Sequence, residues 1–152
     1  MGWFQDKVVG PVKGAVTSGL SAQGLAMSLT VGLTGGVFPV PGLTTVPTVG
    51  LAYILGSNIV VAQVVNMLCF ALNIATVYPF MRAGQYMLGG SDFTFSLDEF
   101  EFSLAAVKNY ARPFGYGVFA WTIMAPFFLA LGYYLLLYPA VYLVKVLGPK
   151  KK

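Results

Sequence analysis

Charge is what this chain lacks most. Between Lys13 and Arg82 it has none, leaving 68 consecutive uncharged residues, Gly14 to Met81, in a chain of 152. A second uncharged run, Pro113 to Val144, adds 32 more. Charged residues are 9% of the total, where an ordinary soluble domain carries roughly 25%. A fold surrounded by water puts charge on its solvated faces, whereas an unpaired charge in hydrocarbon costs several kcal/mol. The absence excludes an ordinary soluble domain and implies an integral membrane protein.

Histidine is absent and cysteine occurs once, as Cys69. No histidine is therefore available for general-base work or metal ligation, and no internal disulfide can form. The carboxylates, Asp6, Asp92, Asp98, Glu99 and Glu101, all lie outside the uncharged runs. Asp98, Glu99 and Glu101 read as helix-start charges rather than as a cation site. Cys69 has no basic neighbour in sequence to activate it, and no phosphate-binding glycine loop occurs. We expect no catalytic residue, no metal and no cofactor, so a non-enzymatic protein. Its aromatic content is compatible with bound lipids or pigments. The first residues show no cleavable signal pattern, and Asp6 stands where a myristoylation site needs Ser or Thr.

What is present is hydrophobic sequence, 57% of the chain, organised by small and polar residues. Residues 1–17 read as an amphipathic entry helix, with Trp3, Phe4, Val8, Val9, Val12 and Val16 apolar and Gly10-Pro11 as a kink. Residues 19–56 read as a hairpin. Its first arm carries Gly24, Ser28, Gly32 and Gly36 at four-residue spacing, which is one helix face. Its tip is Phe38, Pro39, Pro41 and Gly42, where no helix continues. Its second arm, Leu43 to Gly56, repeats the spacing with Thr44, Thr48, Ala52 and Gly56. The two small-residue stripes are expected to pack on each other, as in GxxxG pairs. At 1.5 Å per residue the second arm spans about 21 Å, short of the ~30 Å hydrocarbon core. The hairpin is thus expected to be short or re-entrant, with its tip buried in protein or wetted.

Residues 58–88 read as a transmembrane helix capped by Ser57 or Asn58. Asn58, Asn66, Cys69, Asn73 and Thr76 fall on one side of a continuous helix. This polar intramembrane stripe is expected to face protein or a wet cavity. Arg82 is placed at the helix end, snorkelling to the interface. Ser96 to Glu99 forms a capping box opening an amphipathic loop helix, 96–112, which Pro113 ends. Residues 113–147 are aromatic and read as a second transmembrane helix, kinked at Pro126 and bent or ended again at Pro139. The fold class is all-α: a single polytopic membrane domain with a short or re-entrant Pro-tipped hairpin, two longer transmembrane helices and amphipathic interfacial helices.

The run Thr30-Val31-Gly32-Leu33-Thr34-Gly35-Gly36-Val37-Phe38-Pro39-Val40-Pro41-Gly42, with Asn58 and Asn66 beyond it, carries a resemblance. Over about Ser21 to Gly89 the chain resembles a family of small integral-membrane domains, domain of unknown function two-thousand-sixty-two, through its G-x-F-P-x-P-G heart. The family has Asn-Pro where this chain has Asn66-Met67. The resemblance implies a membrane fold and carries no activity with it.

Basic residues flank both ends, Lys7 and Lys13 and then Lys145 and Lys150 to Lys152. By the positive-inside rule both termini lie on the cytoplasm-like side and the loop 82–112 lies opposite. The terminal lysines read as a topology anchor and not as a nucleic-acid contact. The expected partners are membrane lipids and other membrane-protein subunits or copies of this chain. The expected role is an accessory or scaffold subunit of a membrane assembly. The alternative is lipid or small-molecule translocation along the hairpin and the asparagine-lined path.

Overall fold

The computed structural model describes residues 2–93 and 104–148, with the side chains of 104–110 excepted. All regular structure among them is helical. In chain order these are α1 (Gly2–Phe4), a π-helical turn (Gln5–Val9), α2 (Gly10–Thr17), α3 (Ala22–Gly36), α4 (Thr45–Ile54), α5 (Ile59–Leu68), α6 (Phe70–Leu88) and α7 (Leu104–Leu147).

The kink expected at Gly10-Pro11 takes the form of that π turn. Pro11 has no N–H to give, and the Gly10 N–H reaches back to the Gln5 carbonyl, widening the turn instead of breaking the helix. Trp3 and Phe4 stay exposed, while Val16 is buried with Leu25, Ala26, Val61 and Ala140.

Helix α3 is central. Ser21 caps it, accepting from the Gly24 N–H at 3.1 Å, and it packs on α4, α5 and α7. Having neighbours on three sides explains its many small residues, and it corrects the expected stripe-on-stripe hairpin. A Cβ on Gly32 would lie 2.6 Å from Val65 Cβ, and one on Gly36 would lie 2.7 Å from Cys69 Cβ. Both glycines therefore face α5 and its end, not α4. The glycine that receives α4 is Gly35, whose Cβ would lie 2.8 Å from Thr48 Cα. On the α7 side a Cβ on Gly132 would lie 2.9 Å from Thr30 Cγ2.

The expected continuous helix over 58–88 is divided. Asn58 caps α5, its Oδ1 accepting from the Val61 N–H at 3.1 Å. The helix then stops at Cys69, whose N–H is shared between the Val65 and Asn66 carbonyls at 3.1 Å each. Helix α6 leaves at 75° to α5. A turn thus follows Asn66 with no proline present. Arg82 lies near the end of α6, as expected. It is tied to Gln85 at 2.7 Å, Tyr86 at 3.0 Å and Asp92 at 3.3 Å.

Helix α7 runs through Pro113, Pro126 and Pro139 without ending. Pro113 is therefore not a boundary, and residues 104–112 belong to one helix with those after them. The expected capping box at 96–99 lies outside the described residues. Ala111–Leu147 is long and apolar enough to cross a membrane, and α5 with α6 passes the same test only as a bent pair. Helix α7 packs along α3 and α6, with Gly84 so close to Tyr116 that a Cβ there would collide with the Tyr116 backbone.

Candidate functional site

The turn between α3 and α4, the end of α5 and the start of α6 converge on one place. Phe38 stacks edge-on against Trp121 of α7, ring centres 5.0 Å apart. The Trp121 indole N–H donates to the Thr34 carbonyl at 2.9 Å. Pro39 is buried, and a Cβ on Gly117 would meet it at 3.0 Å. The Phe38 carbonyl, inside a non-helical turn, accepts from Asn73 Nδ2 at 2.7 Å. Pro39 is thus the part of the tip buried in protein, and a side chain from α6 bonds to its neighbour's backbone. Pro41 is half-buried, and Gly42 takes the left-handed conformation, φ +85°, that a Cβ would strain.

Beside this turn lies a cavity of about 350 Å³ lined by Gly36, Gly42, Thr44, Thr45, Asn66, Met67, Phe70 and Asn73. The bend at Cys69 brings Asn66 and Asn73 to it from two helices. The rest of the expected stripe does not join them. Asn58 is the cap at the far end of α5, and its N–H donates to Ser28 Oγ at 2.8 Å. Thr76 turns its hydroxyl onto the Leu72 carbonyl at 2.9 Å. Of the expected packing residues, Gly24 faces Leu20 of its own segment. Ser28 meets α5, and Thr48 and Ala52 are buried. Gly56 is the exposed left-handed residue after α4.

Gln63, which the sequence analysis passes over, orders the site. Its Nε2 donates to the Thr45 carbonyl at 3.4 Å, and its Oε1 accepts from Asn66 Nδ2 at 3.1 Å. This fixes the direction of both amides, because rotating the Asn66 amide alone would set oxygen against oxygen. The other atom of the Asn66 amide, the acceptor Oδ1, is buried with no partner among the described residues. Such an atom carries the full cost of its lost hydration.

A second cavity, about 330 Å³, opens where α3, α6 and α7 meet and is lined by residues including Leu33, Leu72, Phe80, Phe128 and Leu131. It is almost wholly apolar, since the Thr30 and Thr76 hydroxyls at its wall bond to their own helices. Neither cavity is lined by an ionisable side chain. No group of three or more histidine, cysteine or acidic residues that could hold a metal occurs among the described residues.

No protein-family model, curated protein or solved structure matches the chain.

Proposed function

We propose that this is a polytopic integral membrane protein that acts by binding, as an accessory or scaffold subunit of a larger membrane assembly. One observation carries the membrane reading. The most apolar window of the long span in α7 is only 6% buried, and the helix turns Tyr134, Leu135 and Tyr138 outward at 74%, 66% and 85% exposure. The core helix of a soluble protein hides such residues, and an exposed apolar surface of this extent calls for lipid or partner helices.

The path of the chain fits a re-entrant hairpin and two crossings. Helix α3 enters, and the Pro-tipped turn sends α4 back. Helix α5 runs beside α3 in the same direction, since Ser28 lies near Asn58 and Gly36 near Cys69. With α6 it makes one bent crossing, and α7 returns. Both termini then share a side, as the flanking lysines favour. The family resemblance over Ser21 to Gly89 belongs to this proposal and rests on the G-x-F-P-x-P-G tip. The binding role is supported by wide aromatic outer faces and by cavities without ionisable groups. Extraction in mild detergent followed by native mass measurement tests it. A species well above the 16.3 kDa chain, reduced by Tyr134→Ala with Tyr138→Ala, is the expected result. A monomer carrying lipid alone contradicts it.

Translocation is the second reading, favoured by the polar cavity beside the re-entrant tip. Liposome flux that Asn66→Leu with Asn73→Leu abolishes, in a protein still folded, would replace the first reading with it.

A further inference from the structure

The first and last described helices meet at one end of the molecule. Helix α2 packs on the last turns of α7, with Val12, Ala15 and Val16 joining Ala140, Val144 and Leu147 in one apolar cluster. Lys13 and Lys145 flank this contact, next in sequence to Val12 and Val144, and both are exposed. Neither is in an ion pair among the described residues.

Charge is divided along the chain. Residues 1–17 and 140–152 together hold six lysines and one acid, Asp6. Residues 82–112 hold three basic and four acidic residues, and Arg82 among them is paired with Asp92. The end built from α2 and α7 is thus basic and unneutralised. The outer face of α7 gives its depth. Tyr134, Tyr138 and Tyr142 recur every fourth residue and are exposed, and Lys145 follows three residues later on the same face. Tyrosine at the membrane–water boundary with lysine just beyond it is the order of an interfacial belt. Lys145 then stands at the level of the lipid phosphates, and the packing of α2 holds Lys13 at the same end.

The arm before α2 adds an apolar element. Residues 2–7 are all exposed, and α1 and the π turn pack chiefly on each other and on α2. Phe4, Val8, Val12 and Val16 recur at four-residue spacing, and the wide turn offsets the drift that such spacing builds up along a helix. Phe4 therefore stays on the face that α2 turns to the core, but beyond the edge of the core. A soluble anion would satisfy the lysines and leave Trp3 and Phe4 uncovered. An anionic lipid satisfies both, since basic charge draws its headgroup and exposed aromatics enter the acyl boundary.

We propose that the packed helices α2 and α7 dock anionic phospholipids, with Lys13 and Lys145 meeting headgroup phosphates and Phe4 entering the acyl region beside them. The proposal rests on the membrane reading and adds the class of lipid.

The test uses the full chain in a neutral detergent, given equal amounts of phosphatidylglycerol and phosphatidylcholine with the same acyl chains. Native mass spectrometry reads the ratio retained. The wild type is expected to favour phosphatidylglycerol. A lysine near an anionic surface contributes about fivefold to binding, so Lys13→Gln with Lys145→Gln should lower the ratio about fivefold or more. Both positions are exposed, so the fold survives the change. Arg112→Gln, in the acidic loop region, should leave the ratio unchanged. Trp3→Ala with Phe4→Ala should reduce retention of both lipids alike. Equal retention of the two lipids, a ratio that the double lysine variant leaves unchanged, or one that Arg112→Gln lowers as much would overturn the proposal. Displacement of the lipid by inorganic phosphate would overturn it in favour of a free-anion site. Vesicles separate this failure from that of the membrane reading. A chain that enters phosphatidylcholine vesicles yet retains both lipids equally defeats the lipid class alone, whereas one that enters no vesicle of either lipid defeats both.

Discussion

Helices α3 and α7 are equally free of charge through their apolar stretches, yet they sit in opposite surroundings. Nine of the 15 residues of α3 are buried, most of them glycine, alanine, serine or threonine. Helix α7 turns tyrosine, leucine and phenylalanine outward from Phe119 to Tyr142. The contrast shows that lack of charge marks a membrane-like segment but does not say what the segment touches. Residue size does. Small residues allow backbones to approach closely and dispersion contacts to form, while large apolar ones cover a helix that faces lipid.

The sharpest way to break this contrast is to enlarge the small residues. Gly35→Leu would drive a side chain into Thr48, and Gly84→Leu into the Tyr116 backbone. Each is expected to cost about 1–3 kcal/mol or more in detergent unfolding. Leu135→Ala on the outer face of α7 should stay within about 0.5 kcal/mol. Similar losses at all three positions would erase the distinction between the helices.

Next come the polar ties that hold the tip to the rest of the molecule. Trp121→Phe strands the Thr34 carbonyl and should cost about 1–2 kcal/mol, read by the same unfolding measurement. Asn73→Leu removes one of the two donors to the Phe38 carbonyl, which keeps the Val40 N–H at 2.8 Å. Hydrogen bonds between membrane helices average roughly 0.6 kcal/mol with a maximum near 1.7, so its loss should be smaller.

The smallest effect lies outside the apolar core, at the end of α6. Hydrogen bonds from Gln85, and then from Arg82 with its charge, hold the Asp92 carboxyl below the usual carboxylate range. The unfolded chain therefore binds a proton at higher pH than the folded one does. The contribution is present at neutral pH and is lost as pH falls through the depressed value. Asp92 is 92% exposed, so the contribution is slight. Asp92→Asn should flatten the acid side of a stability–pH curve and leave neutral stability nearly unchanged.

Much of this arrangement was legible in the residues. The all-helical class, the Ser57/Asn58 restart and the turn at Phe38 to Gly42 followed from proline, glycine and capping chemistry. The partners of the small residues were not legible. Four-residue spacing places Gly32 and Gly36 on one face, but no local rule states which helix that face meets, and both meet α5. Gly35, one step off the stripe, receives α4 instead. The bend at Cys69 was hidden because neither glycine nor proline marks it. The polar stripe counted on a straight helix, whereas the bend leaves Asn58 behind and gathers Asn66 and Asn73. Gln63 lies outside the counted stripe, three residues before Asn66, and only its bonds to Thr45 and Asn66 show its role. Pro113 misled in the opposite direction, since a proline inside a long helix need not end it when neighbouring packing holds the axis.

The central claim is that the outer face of α7 lies in lipid. In a chain whose Cys69 is replaced by alanine, Leu135→Cys can carry a spin label in reconstituted bilayers. The account predicts relaxation by oxygen and protection from a water-soluble nickel chelate at position 135. Strong relaxation by the chelate with little by oxygen would place α7 in water and contradict it.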